Sequence, residues 1–277
     1  MAAMELNALL ASDAALPSIP KVVALLVNEL NKPDPDLRKI SQLISTDPGL
    51  TARILRLANS PNFRLARKIS SVAEALAILG FDDLHALGQA ATQGTALRAV
   101  AGVPMQQFWR YSLNVAKLAR SYAGQVRLNQ ATAFTSGLIH AVGELVMHLA
   151  MPAAMARLSE TVGPLELKRA RAEQKALGYT YAEVSAGFAL QWQYPDSIVD
   201  APQHQVKPFD NEVYEPLAGL LHLAAWRARA HEAGLTEREL AVTFPGEVGL
   251  ILGLDIDMVL QQQAIDWNSR SDAGDEE

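Results

Sequence analysis

The chain has 277 residues, which suits one large domain or two modest ones at roughly 150 residues per domain. Hydrophobic residues make up 49%, enough for a substantial core, so disorder is excluded for most of the chain. The formal net charge of -6, from 24 Lys and Arg against 30 Asp and Glu, excludes a globally basic nucleic-acid footprint, and the lack of cysteine excludes disulfides, thiolate metal sites and cysteine nucleophiles.

The N-terminal run MAAMELNALLASDAALP has no basic region and carries Glu5 early, so it does not read as a secretory signal. The expected compartment is the cytoplasm. Residues 20–31 place Val22, Val23, Leu26, Val27 and Leu30 on one helical face. Asp34-Pro35 predicts a helix start, with Asp34 as N-cap and the proline at the first helical position. Asp47-Pro48 predicts another, ahead of Leu50, Ile54 and Leu57, and Asn59-Ser60-Pro61 stops it. Ser71 with Glu74, Thr180 with Glu183 and Thr236 with Glu239 have capping-box spacing. Residues 99–104, AVAGVP, read as a break between two helical halves that pack as one rigid body. The most apolar stretch, residues 133–158, is interrupted by His140, Glu144, His148 and Pro152, so no membrane span is expected. Residues 213–233 read as a long helix, with Leu217, Leu220, Leu221, Ala224 and Ala225 inward and Arg227, Arg229 and Glu232 facing water. No run alternates with period two. The fold class is all-α, with a frayed acidic tail over residues 269–277.

Several kinds of chemistry find no motif. GxGxxG, the P-loop pattern, GxSxG and HExxH are all missing. His222 and His231 share a helix but stand too far apart for one metal. Trp109 and Trp192 read as anchors between helices. One segment departs from the average charge. Residues 48–73 contain no Asp or Glu, while Arg53, Arg56, Arg64, Arg67 and Lys68 accumulate there. The plain reading is a solvated helix face and loop. The sharper reading is a surface for an acidic partner or a phosphate-containing small ligand, because guanidinium forks bind both groups. Nucleic acid is disfavoured, since Phe63 is the one aromatic among these cations. Asn59 and Ser60 belong to the same candidate surface, although capping of backbone groups is their simpler role.

Four segments together resemble a known family. They are LPSIPKVVALLVNELNKPDPDLRKISQLISTDPGLTARILRLANSPNF, FWRYSLNVAKLA, AFTSGLIHAVGELVMHLA and ALGYTYAEVSAGFALQWQYPDSIVDAPQHQ. In that order, from about Leu16 to about Ala230, they resemble the HDOD family, the HD-related output domain. The resemblance implies an N-terminal helical bundle over residues 1–100 packed on a larger HD-like bundle over residues 101–268. HD phosphohydrolases hold a divalent metal with a histidine, a His-Asp pair and a distant Asp, and that metal activates water. Here the resemblance places Tyr111 at the first histidine, His140-Ala141 at the His-Asp pair, Tyr181 at a further histidine, His204-Gln205 at a histidine pair and Ala225 at the distant Asp. His140 and His204 are thus vestigial metal candidates, with Glu144 one turn from His140 as an off-motif carboxylate.

The resemblance implies a bacterial, non-catalytic signal-transduction module with no cofactor. It would act on signalling proteins in trans, in pathways tied to cyclic dinucleotides, chemotaxis, motility or stress. The alternatives are a residual HD phosphohydrolase and a nucleotide-sensing module that uses the degenerate pocket.

Overall fold

The computed structural model describes residues 4–12, 16–94, 99–210, 212, 214–260 and 265–267. Among them every regular element is helical: α1 (Leu6–Leu10), α2 (Pro20–Leu30), α3 (Leu37–Ile44), α4 (Pro48–Ala58), α5 (Val72–Leu76), α6 (Phe81–Gly94), α7 (Met105–Gln125), α8 (Gln130–Ile139), α9 (Val142–Ala150), α10 (Pro152–Ser159), α11 (Arg169–Leu177), α12 (Tyr181–Gln191), α13 (Asp196–His204), α14 (Pro216–Glu232), α15 (Glu237–Thr243), α16 (Gly246–Leu252) and α17 (Ile256–Leu260). The all-α reading is met. The acidic tail 269–277 and Val213 lie outside the described residues.

Local chemistry sets most of the boundaries. Asp47 caps α4 by accepting from Leu50 N at 2.8 Å, with Pro48 in the first turn. Thr180 and Thr236 form full capping boxes with Glu183 and Glu239. One start differs from the sequence reading. The N-cap of α3 is Asp36, not Asp34: its carboxylate accepts from Arg38 N and Lys39 N. The Glu29 carboxylate accepts from Asp36 N at 3.2 Å, and this holds the preceding turn away from helical geometry.

The core is continuous. Leu26, Ile44, Leu50 and Ile54 of the first half and Tyr122, Val146, Phe188 and Leu220 of the second belong to one buried apolar cluster. Within the second half, α8 lies centrally, against α7, α13 and α14, and it also meets α4 of the first half. Residues 130–150 are long and apolar enough to cross a membrane, but 83% of that window is buried inside the bundle. The stretch breaks at His140 and Ala141, between α8 and α9. At Gly143 the backbone of α9 comes so close to Tyr181 O and Ser185 N that a Cβ has no room. The glycine thereby brings α9 against the first turn of α12, and with it the residues of the buried site.

Candidate functional site

Four helices converge on His140. Tyr111 comes from α7, His140 ends α8, Tyr181 opens α12 and Arg229 lies on α14. All four side chains are buried. The hydrogen bonds among them run in one direction. Arg229 Nε donates to the Tyr111 hydroxyl at 3.0 Å. That hydroxyl lies 2.9 Å from His140 Nε2, and His140 Nδ1 lies 2.6 Å from Gly137 O. A carbonyl only accepts, so Nδ1 carries the proton and Nε2 accepts a hydrogen bond from the Tyr111 hydroxyl. Burial, with Arg229 nearby, lowers the His140 pKa from 6.5 to about 3, although the Gly137 carbonyl favours the charged form. The imidazole is therefore neutral. Burial also keeps the Tyr111 phenol protonated.

Arg229 is the residue that the sequence reading misplaced. It is 6% exposed, where helical patterning turned it toward water. Its guanidinium stands 5.1 Å from the Tyr111 ring centre and 5.3 Å from that of Tyr181, within cation–π range. Nη1 donates to Glu166 O at 2.7 Å and Pro164 O at 3.2 Å. Its position was findable, because Arg229 stands one turn beyond buried Ala225 on the same face of α14.

This arrangement does not suit a divalent cation. The single lone pair of neutral His140 already accepts from Tyr111, and a fixed guanidinium stands against both tyrosines. Ala141 and Ala225 offer no ligand atoms. Among the described residues no three of His, Asp or Glu are placed to hold a metal ion. His204 ends α13 and lines a separate cleft, whereas its neighbour Gln205 turns inward and donates to His140 O at 3.1 Å. His222 bonds through Nδ1 to Gln205 O at 2.8 Å, and His231 stacks on Trp267 at 4.0 Å.

Glu144 belongs to a second buried network. Arg169 donates to Glu144 Oε1 at 2.6 Å and to Glu173 Oε1 at 2.9 Å. His148 Nε2 is 3.1 Å from the same Glu144 oxygen, and Tyr181 N donates to Glu173 Oε2 at 2.7 Å. Burial and the Glu144 charge push the Glu173 pKa well above its ordinary value. Burial also opposes the Glu144 charge, but His148, Glu173 and Arg169 together lower its pKa below the ordinary carboxylate value.

The basic segment divides in two. Arg53 is half-buried: Nη1 donates to Ser18 Oγ at 2.6 Å and Nη2 to Leu16 O. Asn59 is buried and bonds to Leu55 O at 3.0 Å, Ile69 O at 2.9 Å and Ile69 N at 2.7 Å, which closes the loop between them. Ser60 Oγ is buried without a partner. Arg53 and Asn59 hold the fold through these bonds, and the Asn59 amide nitrogen is spent on Leu55 O and Ile69 O. Arg56, Arg64, Arg67 and Lys68 remain exposed. Arg56 stands 5.7 Å from the centre of Trp192, Arg67 pairs with Glu74 at 3.0 Å and Lys68 donates to Tyr194 O at 2.9 Å.

The comparisons with known proteins agree with this architecture. The HDOD domain profile matches residues 16–208. The chain belongs to the HDOD family. The HDOD match ends before α14, so Arg229 lies outside it. A fragment of the MmoQ response regulator of Methylococcus capsulatus superposes with a TM-score of 0.68 and 26% identity, covering 88% of this chain and 94% of that one. A Shewanella amazonensis protein described as a candidate phosphohydrolase gives a TM-score of 0.51 at 29% identity, over 90% and 91% of the two chains. A functionally uncharacterised Treponema pallidum protein is 25% identical over 213 residues, which is 76% of this chain. This chain spans only 41% of that relative's length.

Proposed function

We propose that this HDOD protein is a non-catalytic signalling module that acts through protein contacts in trans. The observation that carries the reading is the buried relay from Arg229 through Tyr111 to His140. It uses the imidazole lone pair that a metal would need and puts a fixed positive charge beside it. Family membership and the likeness to a response regulator support the signalling half.

The exposed cations Arg56, Arg64, Arg67 and Lys68 are the surface we assign to an acidic signalling partner. Arg56 and Lys68 touch Trp192 and Tyr194 of the second half, so a partner seated here would bear on both bundles.

The test has two arms. Protein purified without chelator is analysed for metal and assayed on an activated phosphodiester, and neither stoichiometric metal nor turnover is expected. Stoichiometric metal and hydrolysis, both lost in His140→Ala, overturn the reading in favour of a residual phosphohydrolase. In the second arm, charge reversal at Arg56, Arg64 and Arg67 is expected to abolish capture of a host signalling protein while the fold is kept. Arg53 is left intact there, because it anchors the segment at Leu16 and Ser18.

A further inference from the structure

A cleft of about 700 Å³ opens between α11, the start of α12 and the turn that follows α13. That volume is in the range of pockets for small organic ligands. None of Tyr111, His140, Tyr181 and Arg229 lines it.

Its charge is lopsided. Arg171 and Lys175 stand one turn apart on the exposed face of α11 and reach the cleft from one side. Lys207 reaches it from the other. The two carboxylates on the wall are engaged. Glu183 accepts from the backbone N and the hydroxyl of Thr180, at 2.8 and 3.0 Å. Asp210 takes the Lys207 ammonium at 2.9 Å. Among the described residues neither Arg171 nor Lys175 has an ion-pair partner. The Thr180 bonds do not cancel the Glu183 charge, so the cleft keeps a net positive charge from a guanidinium fork and an ammonium, side by side, against one carboxylate. Two such groups, neither held in a direct ion pair, favour the several oxygens of a phosphate over a single carboxylate. Ala170 and Val206 supply apolar surface for the rest of a ligand.

We propose that this cleft binds a small organic phosphate of nucleoside-phosphate size. Arg171 and Lys175 hold the phosphate, and Ala170 and Val206 face the body. The cleft wall continues into the buried site: His204 is followed by Gln205, which bonds His140 O, and Thr180 by Tyr181. A ligand that fixes this wall would stiffen the helix ends that hold the relay.

The experiment is calorimetric titration of the full chain with AMP, GMP and their diphosphates, with adenosine and inorganic phosphate as separate arms. At least one nucleotide is expected to bind saturably and to raise the melting temperature. Its affinity is expected to fall at least tenfold in Arg171→Glu and in Lys175→Glu. Both residues are exposed, and circular dichroism checks that the variants keep their fold. Arg56→Glu is expected to leave nucleotide binding unchanged, which separates this cleft from the partner surface. Competition by inorganic phosphate supports the proposal. It is overturned if no nucleotide binds, if adenosine binds as tightly as AMP, or if the charge reversals have no effect.

Discussion

His140 is neutral in the fold and ordinary once unfolded, and this couples one residue to pH. Its folded pKa is lowered to about 3 from 6.5, by burial first and Arg229 second. The unfolded chain therefore binds a proton below about pH 6.5 that the native chain refuses. The stability tied to His140 is fully present above that pH and is lost as pH falls toward about 3. The slope is at most about 1.4 kcal/mol per pH unit. Glu173 acts in the opposite sense: its folded pKa is raised, so the native state holds a proton that the unfolded state releases as pH climbs. The two effects separate by difference. Between pH 7 and pH 4.5, urea titrations should show wild type losing on the order of 2 kcal/mol more than His140→Asn. Equal losses in the two proteins would refute a neutral buried His140.

At the scale of elements, the Arg169 network ties α9, α11 and α12 together. The Glu144 pKa is lowered and that of Glu173 raised, so the two carboxyls differ in what an amide does to them. Glu173→Gln matches the raised pKa and loses one acceptor, which costs about 1 kcal/mol. Glu144→Gln leaves Arg169 buried without its counter-charge, which costs about 3 kcal/mol or more. Denaturant midpoints of the two variants check that order. Much at this scale was legible in the sequence, because a cap acts over three residues: Asp47, Thr180 and Thr236 each satisfy amides within their own first turn. Asp34 misled because the contact that decides the turn, Glu29 to Asp36, comes from the preceding helix. The candidate site was legible at Tyr111, His140 and Tyr181, through the family resemblance alone. Arg229 finds its acceptors at Pro164 and Glu166, far away in sequence and on the backbone. Arg53 is read as a surface cation for the same reason, since its acceptors lie at Leu16 and Ser18. A polar side chain whose partners are distant carbonyls leaves no pattern of residue types.

The whole molecule is joined where α4 meets the end of α12. The buried Tyr194 hydroxyl donates to Ala52 O at 2.6 Å, and Lys68 donates to Tyr194 O at 2.9 Å. Ser70 and Thr132 share a hydrogen bond at 2.9 Å across the same joint. With one continuous core behind these bonds, the two halves should unfold together. Tryptophan fluorescence and far-ultraviolet circular dichroism should give coincident transitions in wild type. Tyr194→Phe should lower stability by about 1–2 kcal/mol without splitting them. Two separated transitions would show that the halves are independent.

The buried guanidinium also constrains the mutational paths open to this chain. Placing a histidine at Tyr111 while Arg229 remains would set a new imidazole against a fixed cation. Removing Arg229 first would orphan the Tyr111 hydroxyl and the carbonyls of Pro164 and Glu166. Either order passes through a weakened intermediate, so the two positions change only at a cost to stability. Arg229 thus acts as a latch on the pocket: while it occupies the core, a substitution at Tyr111 alone leaves a fixed cation beside any new imidazole.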